Sequence, residues 1–305
     1  MGRRVRKGRE INGILILDKP LGLSSNQALQ KVKRLFQAQK AGHTGNLDPL
    51  ATGVLPICLG EATKVSAFLL DADKRYTARI KLGQRTTTAD AEGEVIESRP
   101  VPALTESAIK HALKPFVGEI DQVPPMHSAL KVNGQPLYKL AHQGITIERK
   151  SRRITIYGIE LLGVDGDVVE IDVRCSKGTY IRTLAEDFGE ALGCGAHLSG
   201  LQRTEAGPFL YDDVIEMASL EHLAEEGFEA LDVLLQPMED ALHDWQDVVL
   251  SPDAAHYLGL GQAVMVPNAP SEGLVRLFDK QDTFLGVGII ADDGKVAPKR
   301  LFKSA

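Results

Sequence analysis

Cysteine and aromatic residues are scarce in this 305-residue chain, which holds three Cys (Cys58, Cys175 and Cys194), one Trp, and aromatic residues at only 5%. An odd number of cysteines leaves one unpaired in any disulfide scheme, which points to a reducing cytoplasm rather than secretion. So few rings exclude a broad stacking platform for single-stranded nucleic acid. Long hydrophobic runs are also missing. The apolar stretch nearest the basic N-terminus, residues 14–17, is ended by Asp18 and Lys19, well short of the roughly 18 residues that cross a bilayer. Neither a signal peptide nor a membrane partner is expected. There is no P-loop, no G-x-G-x-x-G after a strand, and no Cys or His pair at zinc spacing, the eight His being scattered. No metal or nucleotide cofactor is expected.

What is present is ordinary globular composition, 43% hydrophobic and 25% charged, long enough for one large domain or two. The net charge of −6 argues weakly against a polyanionic partner, but it conceals an asymmetry. Residues 1–210 hold 29 Lys and Arg against 23 Asp and Glu, whereas residues 211–305 hold 6 against 18. The stretch 211–270 has 13 acidic residues and no Lys or Arg, and reads as a solvated connector, in preference to a dedicated acidic interaction surface, that faces away from a polyanion or links the domains.

Local pattern supplies the elements. Residues 13–18 form a short apolar run closed by a Lys-Pro-Leu-Gly turn and predict a buried strand. Ser24 and Ser25 offer an N-cap to a helix on which Leu29, Val32, Leu35 and Phe36 recur at helical spacing, with Lys31, Lys33 and Arg34 mostly off that stripe. Residues 76–82, 154–159 and 168–174 alternate and are rich in β-branched side chains, as strands are. Helical patterns return at 105–117, 180–192 and 219–235. Strand and helix mix without strict alternation, so the fold class is α+β, with a mixed, mainly antiparallel sheet.

Past a boundary expected near Ser251-Pro252, short apolar strands are predicted at 263–266, 274–278, 284–290 and 296–302. The chain thus divides into a domain of residues 1–250 and a small β-rich one of residues 251–305. Within the first, residues 124–153 are broken by Pro124, Pro125, Gly134, Pro136 and Gly144 and carry Lys131, Lys139, Arg149, Lys150, Arg152 and Arg153. So long a stretch without strong periodicity is usually functional.

The densest cluster of unusual residues is GHTGNLDPLATG, residues 42–53. Its glycines and proline shape a tight loop, and His43 and Asp48 are its strongly functional side chains. Composition alone leaves two readings open, a structural Asp-Pro turn or a catalytic loop.

This block, with GILILDKPLG (13–22), its continuation to Lys64 (VLPICLGEATK), Arg75-Tyr76, GQRTTTADAEG (83–93), VPPMHSALK (123–131), KGTYIRTLAEDFG (177–189) and HLSGLQRTEAGPF (197–209), resembles the TruB family of pseudouridine synthases. The blocks occur in order over about 200 residues, and the last 55 or so resemble the family's PUA domain. The resemblance implies isomerisation of one uridine, position 55 in the T arm of tRNA, to pseudouridine. It implies no cofactor, no guide RNA or protein partner, and a cytoplasmic monomer.

The resemblance also assigns residues. Asp48 matches the essential aspartate, with attack on the sugar, attack on the base and deprotonation of the ribose all left open. Arg182 matches the basic residue paired with that aspartate, and Tyr76 the ring that stacks on the flipped uracil. His43 matches the side chain that fills the gap left in the RNA stack, while Tyr180 and Leu201 match the lining of the uracil pocket. Lys19 and Lys64 match lysines near the site, and Asp90 an acid of structural or auxiliary role. The stretch 124–153 corresponds to an insertion that closes over the T loop; Arg3, Arg4, Arg6, Lys7 and Arg9 either extend its basic track or form a solubilising tail. Two residues depart from the pattern: Gln202 stands where Arg is expected, and His127 where Tyr is.

Overall fold

The first apolar run forms strand β1 (Gly13–Lys19) in a computed structural model that describes residues 8–132 and 134–302. Leu15 and Leu17 enter the main core, whereas Ile14 and Ile16 enter a second cluster on the other face of the sheet. A strand covered on both sides needs no polar alternation, and this one has none. Helix α1 (Ser25–Leu35) begins at Ser24, whose hydroxyl accepts from Gln27 N while the Gln27 side chain accepts from Ser24 N. That capping box satisfies two of the helix's free donors. Leu29, Val32 and Phe36 are buried as their spacing predicts.

The main sheet continues through β2 (Ala41–His43), β3 (Ala51–Leu59), β4 (Lys74–Leu82), β5 (Gly118–Gln122), β6 (Arg152–Asp165), β7 (Val168–Cys175) and β8 (Ala196–Ala206). It has ten strands, with the path β1-β3-β8-β4-β7-β6-β5. Ile215–Glu216 adds beside β1, β2 pairs with β3, and Phe209–Leu210 pairs with β8. The sheet is antiparallel except at β3–β8 and at the Ile215–Glu216 edge, so the expected mixed, mainly antiparallel α+β class is what forms. Helices α2 (Glu106–Leu113) and α3 (Ile181–Ala191) cover the main core face, α3 through Leu184, Ala185 and Phe188.

At the C-terminal end, β9 (Gln246–Val249), α4 (Pro252–Gly259), β10 (Leu274–Phe278), β11 (Phe284–Ile290) and β12 (Val296–Leu301) build a four-stranded sheet in the order β9-β10-β11-β12. Its first strand precedes Ser251-Pro252, where Ser251 caps α4 and Pro252 occupies the start of the helix. Such a Pro starts a helix because it has no N–H to lose there. Val287 packs with Ile14, Val54 and Cys58 of the main sheet and with Val65 in the helical turn after β3, and Phe284 and Phe302 close around them. The second face of β1 and β3 is therefore buried by the C-terminal domain.

Two expected elements differ. Residues 263–266 make only an isolated bridge, Val264 to Val296, because Pro267 and Pro270 have no N–H to extend a ladder. The helical pattern of 219–235 is two helices, Met217–Glu226 and Phe228–Asp232, broken where Gly227 adopts φ 114°.

The parallel β3–β8 pair sets Gly53 opposite Arg203. Gly53 has φ +97°, and a Cβ there would come within 2.2 Å of the Arg203 carbonyl oxygen. Gly53→Ala therefore strains the backbone and forces two central strands apart, with an expected loss of roughly 2–4 kcal/mol and a lower melting temperature. An unchanged melt would contradict this account of the packing.

Candidate active site

The loop between β2 and β3 projects Asp48 into a cavity of about 820 Å³. Ser25 on α1 anchors that loop from both sides, accepting from Leu47 N at 2.7 Å and donating to Leu47 O at 3.1 Å. Asp48 Oδ2 meets Arg182 Nε at 3.0 Å, and Arg182 Nη1 lies 3.4 Å from Asp90 Oδ2. The guanidinium also donates to the carbonyls of Thr88 (3.3 Å) and His127 (2.7 Å). Arg182 and Asp90 are buried at 6% and 3% side-chain exposure, whereas Asp48 keeps 41%. One cation is thus held between two carboxylates, with the exposed one facing the cavity.

Arg182 occupies the first turn of α3, whose N-cap residue, Tyr180, lacks a capping side chain. Gln122 at the end of β5 compensates by accepting from Tyr180 N at 2.8 Å and donating to Tyr180 O at 3.1 Å. Asp90 is fixed in turn by Thr88 Oγ1 at 2.5 Å and by Glu92 N at 3.1 Å.

Burial pushes the Asp48 carboxyl above its ordinary range; Arg182 opposes this, Asp90 adds to it, and Lys19 and His127 oppose it more weakly. The carboxyl takes up its proton at a higher pH than an exposed aspartate, near 3.9, would. Chemistry that needs ionised Asp48 consequently slows as pH falls through that raised value. The acid limb of a single-turnover pH profile is expected above pH 4, and a rate still flat below pH 4 would remove Asp48 from the titrating step.

Tyr76, Tyr180 and Leu201 line the same cavity as Asp48 and Arg182. Burial raises the Tyr76 phenol above its ordinary value against the pull of Arg203, so its hydroxyl stays protonated at neutral pH. The other assigned residues stand outside this lining. His43, on β2, has a buried Nδ1 with no hydrogen-bond partner among the described residues. Burial, then Arg203, lowers its pKa and favours a neutral ring. Lys19 is fully buried, with Nζ bonded to the carbonyls of Pro20 (2.9 Å), Leu23 (2.5 Å) and Pro49 (3.5 Å). It joins the end of β1 to the Asp48 loop, and burial lowers its pKa to about 8. Lys64 points to the C-terminal domain, bonding Glu61 and, at 3.0 Å, the Leu301 carbonyl beneath the Phe302 ring. Among the described residues, no group of three or more His, Cys, Asp or Glu is arranged to hold a metal ion.

A family model for the N-terminal domain of the TruB family of pseudouridylate synthases matches residues 33–181. Models for the tRNA pseudouridylate synthase B C-terminal domain and for the C-terminal region of pseudouridine synthase II TruB match 182–243 and 247–302. The tRNA pseudouridine synthase B of Nitrosococcus oceani is 56% identical over 298 residues, 98% of this chain and 97% of that one. The chain belongs to the TruB family of pseudouridylate synthases. Its Stutzerimonas stutzeri relative, also a tRNA pseudouridine synthase B, is 54% identical over 99% of this chain and 98% of its own. Among solved structures, a chain of a Cbf5-Nop10-Gar1 complex matches with TM-score 0.73 at 29% identity, covering 95% of this chain and 84% of that one. A chain of an H/ACA RNP bound to a substrate RNA containing 2′-deoxyuridine matches with TM-score 0.73 at 26% identity, covering 99% and 92%.

In this TruB family member residues of the stretch 124–153 form a wall of the cavity. His127, Ser128, Ala129 and Tyr138 line it, and a small hairpin (Lys131–Val132 with Gln135–Pro136) and the helix Leu137–His142 follow. Lys131, Lys139, Lys150, Arg152 and Arg153 are exposed, while Arg149 is half-buried and donates to the Pro124 carbonyl at 3.2 Å. Of the N-terminal basic residues, Arg3, Arg4, Arg6 and Lys7 lie outside the described residues. Arg9 pairs with Asp232 and stacks on Phe228 at 4.0 Å, so it neutralises the acidic segment instead of extending a basic track. None of the described residues lining the cavity comes from 211–270.

Sequence reasoning passed over Arg203 and Lys74, two buried cations that line the cavity. Lys74 donates to the carbonyls of Leu70 (2.9 Å) and Ala72. Arg203 lies inside a recognised block, but the register shifts of β8 at Leu198/Gly200 and Arg203/Glu205 break the alternation that would have marked it as inward-facing.

Proposed function

We infer that this chain isomerises a uridine of tRNA to pseudouridine, and that the target is uridine 55 of the T arm. The observation that carries the reading is the Asp48–Arg182–Asp90 arrangement at the mouth of a cavity of nucleoside-sized capacity, in a chain of this family. The reaction breaks the bond from uracil N1 to the ribose, turns the base, and joins its C5 to the same ribose carbon. C5 gives up its proton to water and the freed N1 takes one up, so the product is an isomer of the substrate. A partly exposed carboxylate beside the flipped nucleoside suits this chemistry, and Arg182 keeps it ionised and aimed.

Tyr76 stacks on the extruded uracil, worth roughly 1–3 kcal/mol for such a contact, while Tyr180 and Leu201 bound the pocket. His43 fills the vacated place in the RNA stack and so offsets part of the cost of flipping. Lys19 supports the Asp48 loop from below. Lys64 ties the catalytic domain to the C-terminal one, which extends the grip on tRNA. The residues before β9 carry the chemistry, and the C-terminal sheet that β9 opens belongs to the PUA-like domain. The exposed cations of 124–153 meet backbone phosphates, and recognition follows the folded shape of the T arm.

The chain acts as a monomer without a guide RNA or protein partner. Purified protein alone is expected to release tritium from tRNA labelled at uracil C5. No release from tRNA, with release appearing only after protein partners and a guide RNA are added, would replace this reading with the guide-dependent one suggested by the assemblies that hold its structural relatives.

A further inference from the structure

The apolar run of β1 ends at Asp18, which lies between Val54 of β3 and Glu216 of the short strand at the sheet edge. Its carboxylate makes two ties. Oδ1 accepts from Gly53 N at 2.9 Å, and Oδ2 accepts from the Tyr211 hydroxyl at 2.9 Å. Among the described residues no ion pair involves Asp18. A carboxylate accepts through both oxygens, and here each is matched to one neutral donor, so the side chain serves geometry and not charge pairing. Burial, then Asp18 itself, raises the Tyr211 phenol above its ordinary value, so the hydroxyl keeps the proton it donates.

The two donors come from parts of the chain with different jobs. Gly53, five residues after Asp48, stands where the Asp48 loop has run into β3. Between them Ala51 N donates to the Asp48 carbonyl at 3.0 Å. Ser25 holds the near side of Asp48 at Leu47. The loop is thus pinned on both flanks of Asp48, and Asp18 is the pin on the far side. Tyr211 is the first residue of the acidic segment, which contributes nothing described to the cavity. It opens a single helical turn, Tyr211–Asp213, after which Ile215–Glu216 pairs with β1 at Leu17 and Asp18. Through one hydroxyl the acidic segment reaches the support of the Asp48 loop.

We propose that Asp18 is a positioning residue for the isomerisation inferred above: it fixes the exit of the Asp48 loop by accepting from Gly53 N, while the Tyr211 hydroxyl holds the carboxylate in that direction. A loop released at Gly53 lets Asp48 shift relative to Arg182, and a misplacement of about 1 Å can cost about a hundredfold in rate. The proposal rests on the functional reading, and the test separates the two.

Single-turnover tritium release and equilibrium binding are measured on a C5-tritiated T-arm stem-loop, with thermal melts alongside. Asp18→Ala removes both ties and is expected to slow release at saturating enzyme about ten- to hundredfold, with binding within about threefold. Asp18→Asn keeps an oxygen for Gly53 N and offers an amide N–H to the Tyr211 oxygen, so it is expected to restore the rate to within about threefold of wild type. Tyr211→Phe is expected to slow release about three- to tenfold, and to cost less than about twofold more in an Asp18→Ala background. Asp18→Ala at the wild-type rate overturns the proposal even if its melting temperature falls, because the contact then serves the fold alone. Asp18→Asn as slow as Asp18→Ala also overturns it, since the charge is then what matters, and so does a Tyr211→Phe loss that is equal in both backgrounds. Should Asp18→Ala fail to fold, Tyr211→Phe still decides: slowed release with binding kept supports the proposal, and wild-type release overturns it. Wild-type protein that releases no tritium overturns the functional reading itself.

Discussion

Asp48→Asn is expected to lower single-turnover tritium release by at least about 10⁴-fold, the scale on which enzymes lose rate when an essential nucleophile is removed, and to leave T-arm binding within a few-fold. The asparagine is nearly isosteric and can still accept from Arg182 Nε, now 3.0 Å from Asp48 Oδ2, so loop and cavity keep their shape. What is lost is the negative charge. A carboxylate is required whether it attacks the sugar, attacks the base or removes a ribose proton, so the prediction holds for all three routes. Release by the variant within tenfold of wild type would remove Asp48 from the chemistry. The same protein tests whether prying open the T arm has value of its own. If it binds tRNA yet gives no folding advantage over buffer, a chaperone role without catalysis fails.

Arg182→Met is expected to cost both rate and stability. The rate falls by about 10²-fold or more, because Asp48 loses the donor that aims it and small misplacements of a reacting group are expensive. Stability falls by about 3–5 kcal/mol, because Asp90, at 3% side-chain exposure, is left as a buried carboxylate without its cation. Thermal melts and single-turnover rates on the double variant Arg182→Met/Asp90→Asn separate the two effects. Removing the stranded charge should return most of the melting temperature and none of the rate. Recovery of rate with stability would mean that Arg182 serves the fold and not Asp48. Arg182→Lys is not a mild replacement, since one ammonium cannot reach two carboxylates and two carbonyls in the geometry of a guanidinium fork.

The legible parts of this protein were those governed by local rules. The apolar run of β1, the Ser24 cap of α1 and the alternation of β4 each follow from neighbouring residues, and each formed where expected. Elements failed to follow their pattern where one backbone position outweighed the side chains around it. Gly227 split a helix by its left-handed φ, and two prolines reduced the strand at 263–266 to a single bridge. The candidate site was legible in part for a different reason: Asp48, Tyr76, Tyr180, Arg182 and Leu201 lie in blocks whose order is itself specific, and the fold brings all five to one cavity.

The net charge of −6 was a poor guide to a polyanionic partner because it averages surfaces that the fold keeps apart. Arg9 and Lys31 reach across to Asp232 and Glu221 of the acidic segment, while that segment contributes nothing described to the cavity. By itself the sequence determined the fold class and the family blocks, and the resemblance carried by those blocks singled out Asp48 as the candidate aspartate. Only the tertiary structure decided that Asp90 lies across Arg182 from Asp48, that Lys64 reaches the C-terminal domain, and that Arg203 is buried on β8 opposite Tyr76. These contacts join residues far apart in the chain through a parallel strand pair and a bulged register. Local propensity carries no information about which strand will lie beside which.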